Sequence, residues 1–333
     1  MKQRFSRKSE GVMMSPLDRA AGVPQTLKPV RRSRRRPHAA KELRYGLLFA
    51  SPVLAGYLLF VLVPIATSIY LSFTNYSVGM VPEWIGIGNY KTLFTGADPF
   101  FYPAVKATFY YVFASVPLGI IISFFAAVLL NQKIVGRAFF RGIFYLPVII
   151  PLAASSMVWM WLLQPDFGIV NYMLEQLHLP TSQWLGDTGS VVPTLILFSF
   201  WTLGNTIVIF LAGLQGIPSQ LYEAIEIDGG NRLHKLFYIT IPMTSSIIFF
   251  NTVIAFINGF QAFVQPSVMT QGGPNNKSLF YVLYLFNEGF KSSRMGSASA
   301  ISVLLFLVIA LFTALIFFFS KSLVYYEGKG EQR

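Results

Sequence analysis

The chain has 333 residues, of which 54% are hydrophobic and only 12% charged, and its formal net charge is +12. A soluble domain usually carries about 25% charged residues; half that share, with a mean hydropathy of +0.55, points to lipid rather than water as the solvent. There are no cysteines, which excludes disulfides, zinc–thiolate centres and cysteine nucleophiles.

Residues 1–44 read as a basic, disordered cytoplasmic tail, rich in Ser, Pro and Gly and without apolar periodicity. The run Arg34-Arg35-Arg36 also fits a nucleic-acid arm, but a tail held at the cytoplasmic face of a membrane explains it without a nucleic-acid partner. Residues 45–333 read as one six-span domain. A helix needs roughly 20 apolar residues to cross a bilayer, and six stretches supply them: about 45–73, 104–130, 143–163, 191–214, 244–268 and 299–320. None holds a charged residue well inside its boundaries except Lys106, which lies near an end and can snorkel. Pro52, Pro64, Pro117, Pro147, Pro151, Pro193 and Pro266 fall in or beside the spans, where neighbouring helices can satisfy the freed backbone groups.

The basic residues set an orientation. With the N-terminus inside, the inner segments hold 13, 3, 2 and 3 Lys plus Arg, and the outer segments 1, 0 and 3. Both termini are therefore expected on the cytoplasmic side. No internal repeat is evident, and no ionisable group sits near a span centre, which argues against an ion-coupled secondary transporter. His38, His178 and His234 lie in separate segments, so neither a metal site nor a membrane-embedded enzyme is expected, and no cofactor.

The segment 215–242, between the fourth and fifth spans, reads as helix, turn and helix on the inner side. Ser219 follows Pro218 as a candidate N-cap, Gly229-Gly230 can both supply the positive φ of a sharp turn, and Pro242 closes the second helix. The first helix carries apolar Leu221, Ala224, Ile225 and Ile227 beside acidic Glu223, Glu226 and Asp228. It needs a protein partner or the membrane surface to cover it. Membrane-surface helices favour Lys and Arg, so the acidic face favours a protein pocket.

This segment closely resembles the EAA loop of ABC importer permeases, in Glu223-Ala224-Ile225, Asp228-Gly229-Gly230 and Ile239-Thr240-Ile241-Pro242. Ile225, Gly230 and Ile241 depart from the family pattern and stay small or apolar. Residues 211–222, Phe144-Tyr145-Leu146-Pro147 with Trp159 and Trp161, Pro165-Asp166-Phe167-Gly168 with Asn171, Thr270-Gln271-Gly272-Gly273-Pro274 and Gly296-Ser297-Ala298-Ser299-Ala300 look like carbohydrate-importer permeases of the maltose and glycerol-phosphate type. The resemblance implies an all-α polytopic protein of the bacterial cell membrane with a cytoplasmic coupling loop at Glu223, Ala224, Asp228, Gly229, Gly230 and Pro242. It further implies pairing with a second, similar permease, two ATP-binding cassette ATPase subunits and an external solute-binding protein. The sequence holds no Gly-x-x-x-x-Gly-Lys-Ser/Thr loop, so ATP hydrolysis is expected in another subunit.

A sugar path should mix amides with aromatic rings. Candidates are Trp201 and Asn205 in the fourth span and Asn251, Phe256, Asn258, Phe260 and Gln261 in the fifth. Asn251 and Asn258, two helical turns apart, share a face. The same amides can instead bond between helices. The match to sugar-contacting asparagines of maltose permeases is regional, since alignment places Gly259 and Ala262 at two of those positions. Ser297, Ala298, Ser299, Ala300 and Ser302 read as a close-packing face. An organic phosphate is the alternative substrate, but its path would be expected to include a basic residue, and no span interior has one.

Overall fold

A computed structural model describes residues 38–132 and 135–320. Residues 1–37, most of the expected tail, and 321–333 lie outside the described residues. By its contacts the chain divides into two units, 1–59 and 60–333; in the described part of the first, nearly every side chain whose burial is described is exposed.

The described residues are helical, apart from turns and a single antiparallel bridge between Thr74 and Trp84. Among the described residues three helices are long and apolar enough to cross a membrane: α1 (Lys41–Ser72), α3 (Phe101–Asn131) and α13 (Met295–Ser320). Between α1 and α3 lies the short α2 (Gly88–Phe94). Three further pairs have the length and apolarity but are bent: α4 (Arg137–Ile149) with α5 (Leu152–Leu162) by 101°, α7 (Val191–Phe200) with α8 (Gly204–Gln215) by 44°, and α10 (Arg232–Met243) with α11 (Ser245–Phe260) by 64°. The short α6 (Ile169–Gln176), α9 (Ser219–Ile227) and α12 (Tyr281–Phe286) join them. Helix α1 takes in Lys41 and Arg44, which the sequence reading gave to the tail, because helical geometry runs on unbroken ahead of the apolar stretch.

Each bend has a local cause. Ile150 stands before Pro151 and is extended at φ −77°, ψ 128°, the conformation a following proline enforces. The expected third span is therefore two helices at a steep angle rather than one. Between α7 and α8 the hydroxyls of Ser199 and Thr202 donate to the carbonyls of Ile196 (2.6 Å) and Ser199 (2.9 Å), a competition that bends helices. Between α10 and α11 the buried Thr244 hydroxyl donates to the Thr240 carbonyl at 2.6 Å. Pro52 removes the N–H that would reach the Leu48 carbonyl, and the Ser51 hydroxyl donates there instead at 2.7 Å.

The core runs along α3. At its middle, Val112 and Val116 pack with Val191, Leu195 and Phe198 of α7 and with Phe260 of α11. Towards its C-terminal end, Phe124, Ala127 and Leu130 meet Ile207, Phe210 and Leu211 of α8. At the other end Leu93, Phe101 and Ala104 pack with Leu283, Tyr284 and Ile301. There the Tyr284 hydroxyl donates to buried Asp98 at 2.7 Å; burial, and after it the bond to Asp98, push the phenol up, so it remains a donor. The expected close-packing face on α13 falls on Gly296, Ala298 and Ala300, all buried, with Gly296 against the backbone of Thr74. Asn171 is buried: its amide donates to the carbonyls of Pro165 (3.1 Å) and Ser182 (3.0 Å) and accepts from Trp184 Nε1 at 2.8 Å. It thereby holds together the loop on either side of α6.

Candidate functional site

Two parts of the molecule are built for more than packing: the loop spanning α9 and α10, and a polar cleft between α3, α8 and α11. The loop is braced at every joint. Helix α9 starts at Ser219, with extended Pro218 in the cap position and no capping side chain. Ser219 is thus the first helical residue rather than the cap, because Pro218 already sets the entry. At the other end Gly230 N–H donates to the Ile225 carbonyl (2.8 Å) and Gly229 N–H to that of Glu226 (3.1 Å), the bond pair of a Schellman turn. Gly229 alone of the two glycines has positive φ, at +77°. Gly230 serves differently: a side chain there would run into Ile225. Asp228, the C-cap residue, and Ala224 are exposed.

Helix α10 begins with a cap the sequence reading missed. Asn231 Oδ1 accepts from the N–H groups of Leu233 and His234, each at 3.0 Å, and His234 returns a contact to the Asn231 N–H, a reciprocal arrangement of the capping-box kind. The Asn-Arg-Leu-His spacing was the available signal. Two cross-links then tie α9 to α10: the Lys235–Glu226 ion pair, and the Tyr222 hydroxyl with Thr240 Oγ1 at 3.1 Å. Pro242 lies inside α10, one residue before its end, and Thr244 makes the break.

What this frame presents is an uncovered surface. No residue of α9 is buried. Ile227, Leu233, Phe237 and Tyr238 are 86%, 62%, 60% and 71% exposed, more than isolated apolar residues at a surface would explain. Glu226 is spent on Lys235, whereas exposed Glu223 has no hydrogen-bond or ion-pair partner among the described residues.

The cleft, about 170 Å³, is lined by Tyr111, Ser115 and Gly119 of α3, by Ser199, Thr202 and Thr206, and by Asn258, Gly259 and Gln265. None of its lining residues is charged. Of the seven residues proposed for a substrate path, Asn258 is in this lining. Trp201 sits in the α7–α8 turn, edge-on to Trp159 at 5.7 Å, and Asn205 and Gln261 are exposed beside the cleft's helices. Phe256 and Phe260 pack with Phe113, Phe109 and Phe312. Each is two residues from Asn258, about 200° around a helix, so rings and amide point to opposite sides of α11. Asn251 is buried one turn from where Ile247 covers Gly213, and its amide turns back to the Ile247 carbonyl at 3.1 Å. The sequence reading missed the hydroxyls and Gln265. Tyr111, Ser115 and Gly119, four residues apart along one helix face, were the legible trace.

A sequence profile described as binding-protein-dependent transport system inner membrane component matches residues 115–326. The chain is similar to Probable ABC transporter permease protein YesP of Bacillus subtilis (strain 168), at 39% identity over 290 residues, 86% of this chain and 93% of that one. It is also similar to Arabinooligosaccharides transport system permease protein AraP of Halalkalibacterium halodurans, at 32% identity over 276 residues, 82% of this chain and 85% of that one. Among solved structures it shares the fold of a chain from a bacterial ABC transporter involved in the import of the acidic polysaccharide alginate. The TM-score is 0.75 at 23% identity, covering 86% of this chain and 100% of that one.

The cap at Asn231 yields a local test. Asn231→Ala should weaken the start of α10 by about 1 kcal/mol, seen as faster amide exchange at Leu233 and His234 with α13 unchanged. Unaltered exchange at those amides would mean that the cross-links to α9 alone hold the helix.

Proposed function

The chain belongs to the family of binding-protein-dependent transport system inner membrane components, and from that membership we propose that it forms half of the translocation path of an ATP-driven sugar importer and takes its drive through the α9–α10 loop. The protein is an all-α, multi-pass membrane permease, and its part is conduction rather than catalysis. Each bent pair is read as one crossing, which with α1, α3 and α13 makes six, with both termini cytoplasmic in a bacterial cell membrane.

One observation carries the coupling role. The loop is internally rigid, yet its apolar surface and Glu223 are unpartnered. The turn and cap end the two short helices as they would elsewhere, and the two cross-links between α9 and α10 add a fixed angle between them. Here they hold an apolar, acidic-edged surface in one shape, as a docking element requires, and a cytoplasmic ATPase is the occupant it suits. Closure of two such ATPase subunits would push this loop and that of a second permease together. Because α10 continues through the Thr244 joint into α11, the displacement would reach the cleft wall at Asn258. A packed core responds to such a push by switching between discrete arrangements.

Sugar as the cargo follows from the cleft chemistry and from the relatives. Hydroxyls and amides without charge suit a polyol, and the AraP relative is described as an arabinooligosaccharide permease. The absence of Lys and Arg from the cleft lining disfavours an organic phosphate. At about 170 Å³ the cleft is smaller than the roughly 300–1,000 Å³ of usual ligand pockets, which supports a path completed by a second permease; we take that partner to be a different chain, with a solute-binding protein delivering the sugar from outside.

Two outcomes test this reading. Gly229→Val has open space for its side chain but pays about 1–2 kcal/mol for the left-handed backbone, so it should misplace α9 while leaving the chain inserted. Together with Glu223→Lys it should loosen the ATPase in co-purification and abolish stimulation of ATP hydrolysis by sugar-loaded binding protein; normal retention and stimulation in both variants would remove the loop from coupling. For the path, Asn258→Ala should raise the sugar concentration for half-maximal uptake about fivefold, as expected for one lost hydrogen bond near 1 kcal/mol, with the complex still assembled. Unchanged uptake at limiting sugar would take Asn258 out of the path.

A further inference from the structure

The start of α4 carries two arginines one turn apart that are used in opposite ways. Arg137 donates to the carbonyls of Gln132 (3.0 and 2.7 Å) and Asn131 (3.4 Å), closing the C-terminal end of α3, where a cation suits the helix dipole. Arg141 has no such use. Its Nε and Nη2 are buried without a hydrogen-bond partner among the described residues. Arg141 is half-buried, and two buried, idle N–H positions on a guanidinium are costly unless an acceptor is supplied; no Asp or Glu occurs in 118–144 or 203–217, the stretches that wall it in.

Arg141 lines a cavity of about 230 Å³, walled by Leu130, Phe144, Ile207 and Leu211, with Gln215 at its edge. Its origin is the way α4 and α8 meet. A side chain on Gly204 would strike the Phe144 carbonyl, so the two backbones touch there and diverge towards Arg141 and Gln215. The result is a wedge between two membrane helices, apolar along its sides and cationic at one end.

We infer that this wedge binds an anionic phospholipid. Nε and Nη2 lie on one edge of the guanidinium plane and, with that buried edge turned to the cavity Arg141 lines, are two parallel donors that match two oxygens of a phosphodiester. The apolar walls give the first part of an acyl chain a place to lie. In the orientation proposed above, on which this inference rests, the wedge opens at the cytoplasmic leaflet, where anionic lipids concentrate and basic pockets between helices hold their headgroups. A free phosphate would satisfy Arg141 but would leave the apolar walls unused.

Native mass spectrometry of the assembled, delipidated transporter tests it, with phosphatidylglycerol, phosphatidylcholine or inorganic phosphate added back. The wild type should retain phosphatidylglycerol over phosphatidylcholine, and Arg141→Gln should weaken phosphatidylglycerol about tenfold, the loss of one charge-assisted contact. Arg137→Gln, matched in charge, should bind as the wild type does. Arg141→Lys, which keeps the charge and loses the fork, should fall between and serves if Arg141→Gln does not assemble. Equal phosphatidylglycerol binding by wild type and the Arg141 variants, equal retention of phosphatidylcholine, or binding of inorganic phosphate without the lipid would each overturn the assignment. The readout is lipid mass, independent of uptake, so its failure leaves the permease reading standing and the reverse is also true.

Discussion

In lipid no water waits to receive an unpaired backbone N–H or carbonyl, so a chain that crosses a bilayer must satisfy every such group within itself. That constraint shapes this molecule more than any single contact. Where its helices bend, a proline or a side-chain hydroxyl bonded to the backbone stands at the joint. Ser51 takes the carbonyl stranded by Pro52, while Ser199 and Thr202 at the α7–α8 turn and Thr244 at the α10–α11 joint add hydroxyl bonds to the carbonyls of Ile196, Ser199 and Thr240. The one steep break, 101° between α4 and α5, falls at Ile150-Pro151, where the proline has no N–H to lose.

These breaks also decide where the polar chemistry gathers. The α7–α8 turn brings Ser199, Thr202 and Thr206 to the face of α3 that carries Tyr111 and Ser115, and α11 closes the third side with Asn258. The α10–α11 joint lies between that cleft and the cytoplasmic loop of the proposed topology. In the proposed coupling, a loop stiffened by its own turn, cap and cross-links and a joint braced at Thr244 would form a short mechanical route of about two helices. Transmission along such a route needs no charge inside the membrane and no moving ionisable group, in keeping with a composition that places almost all charge outside the spans.

Much of this was readable from residue types. Unbroken apolar runs located the helices because length and hydropathy are summed over many residues and tolerate local error. The helix, turn and helix of the loop were readable because Pro218 and Gly229 are strong local signals, whereas Pro242 pointed to an end that Thr244 makes. What was not readable depends on direction or on distant neighbours. Asn258, Phe256 and Phe260 were grouped as one sugar path by residue type, although their spacing alone sets ring and amide on opposite sides of α11. Gly230 looked like a second turn glycine, whereas its lack of a side chain makes room for Ile225. Asn251 could not be told from Asn258 without knowing that α8 closes against α11 at Gly213. Arg141 counted only among the basic residues of an inner segment, because only the packed helices show that its Nε and Nη2 have no acceptor.

The coupling role of the α9–α10 loop bears the most weight, and the chain's lack of cysteines offers a direct measurement. A single reporter introduced as Glu223→Cys can be labelled with a membrane-impermeant maleimide in vesicles of either orientation, with the ATPase subunits present or stripped. A cytoplasmic docking surface predicts labelling only in inside-out vesicles, strong when the ATPase is stripped and suppressed when it is restored. Labelling from the external face, or equal labelling with and without the ATPase, would contradict it.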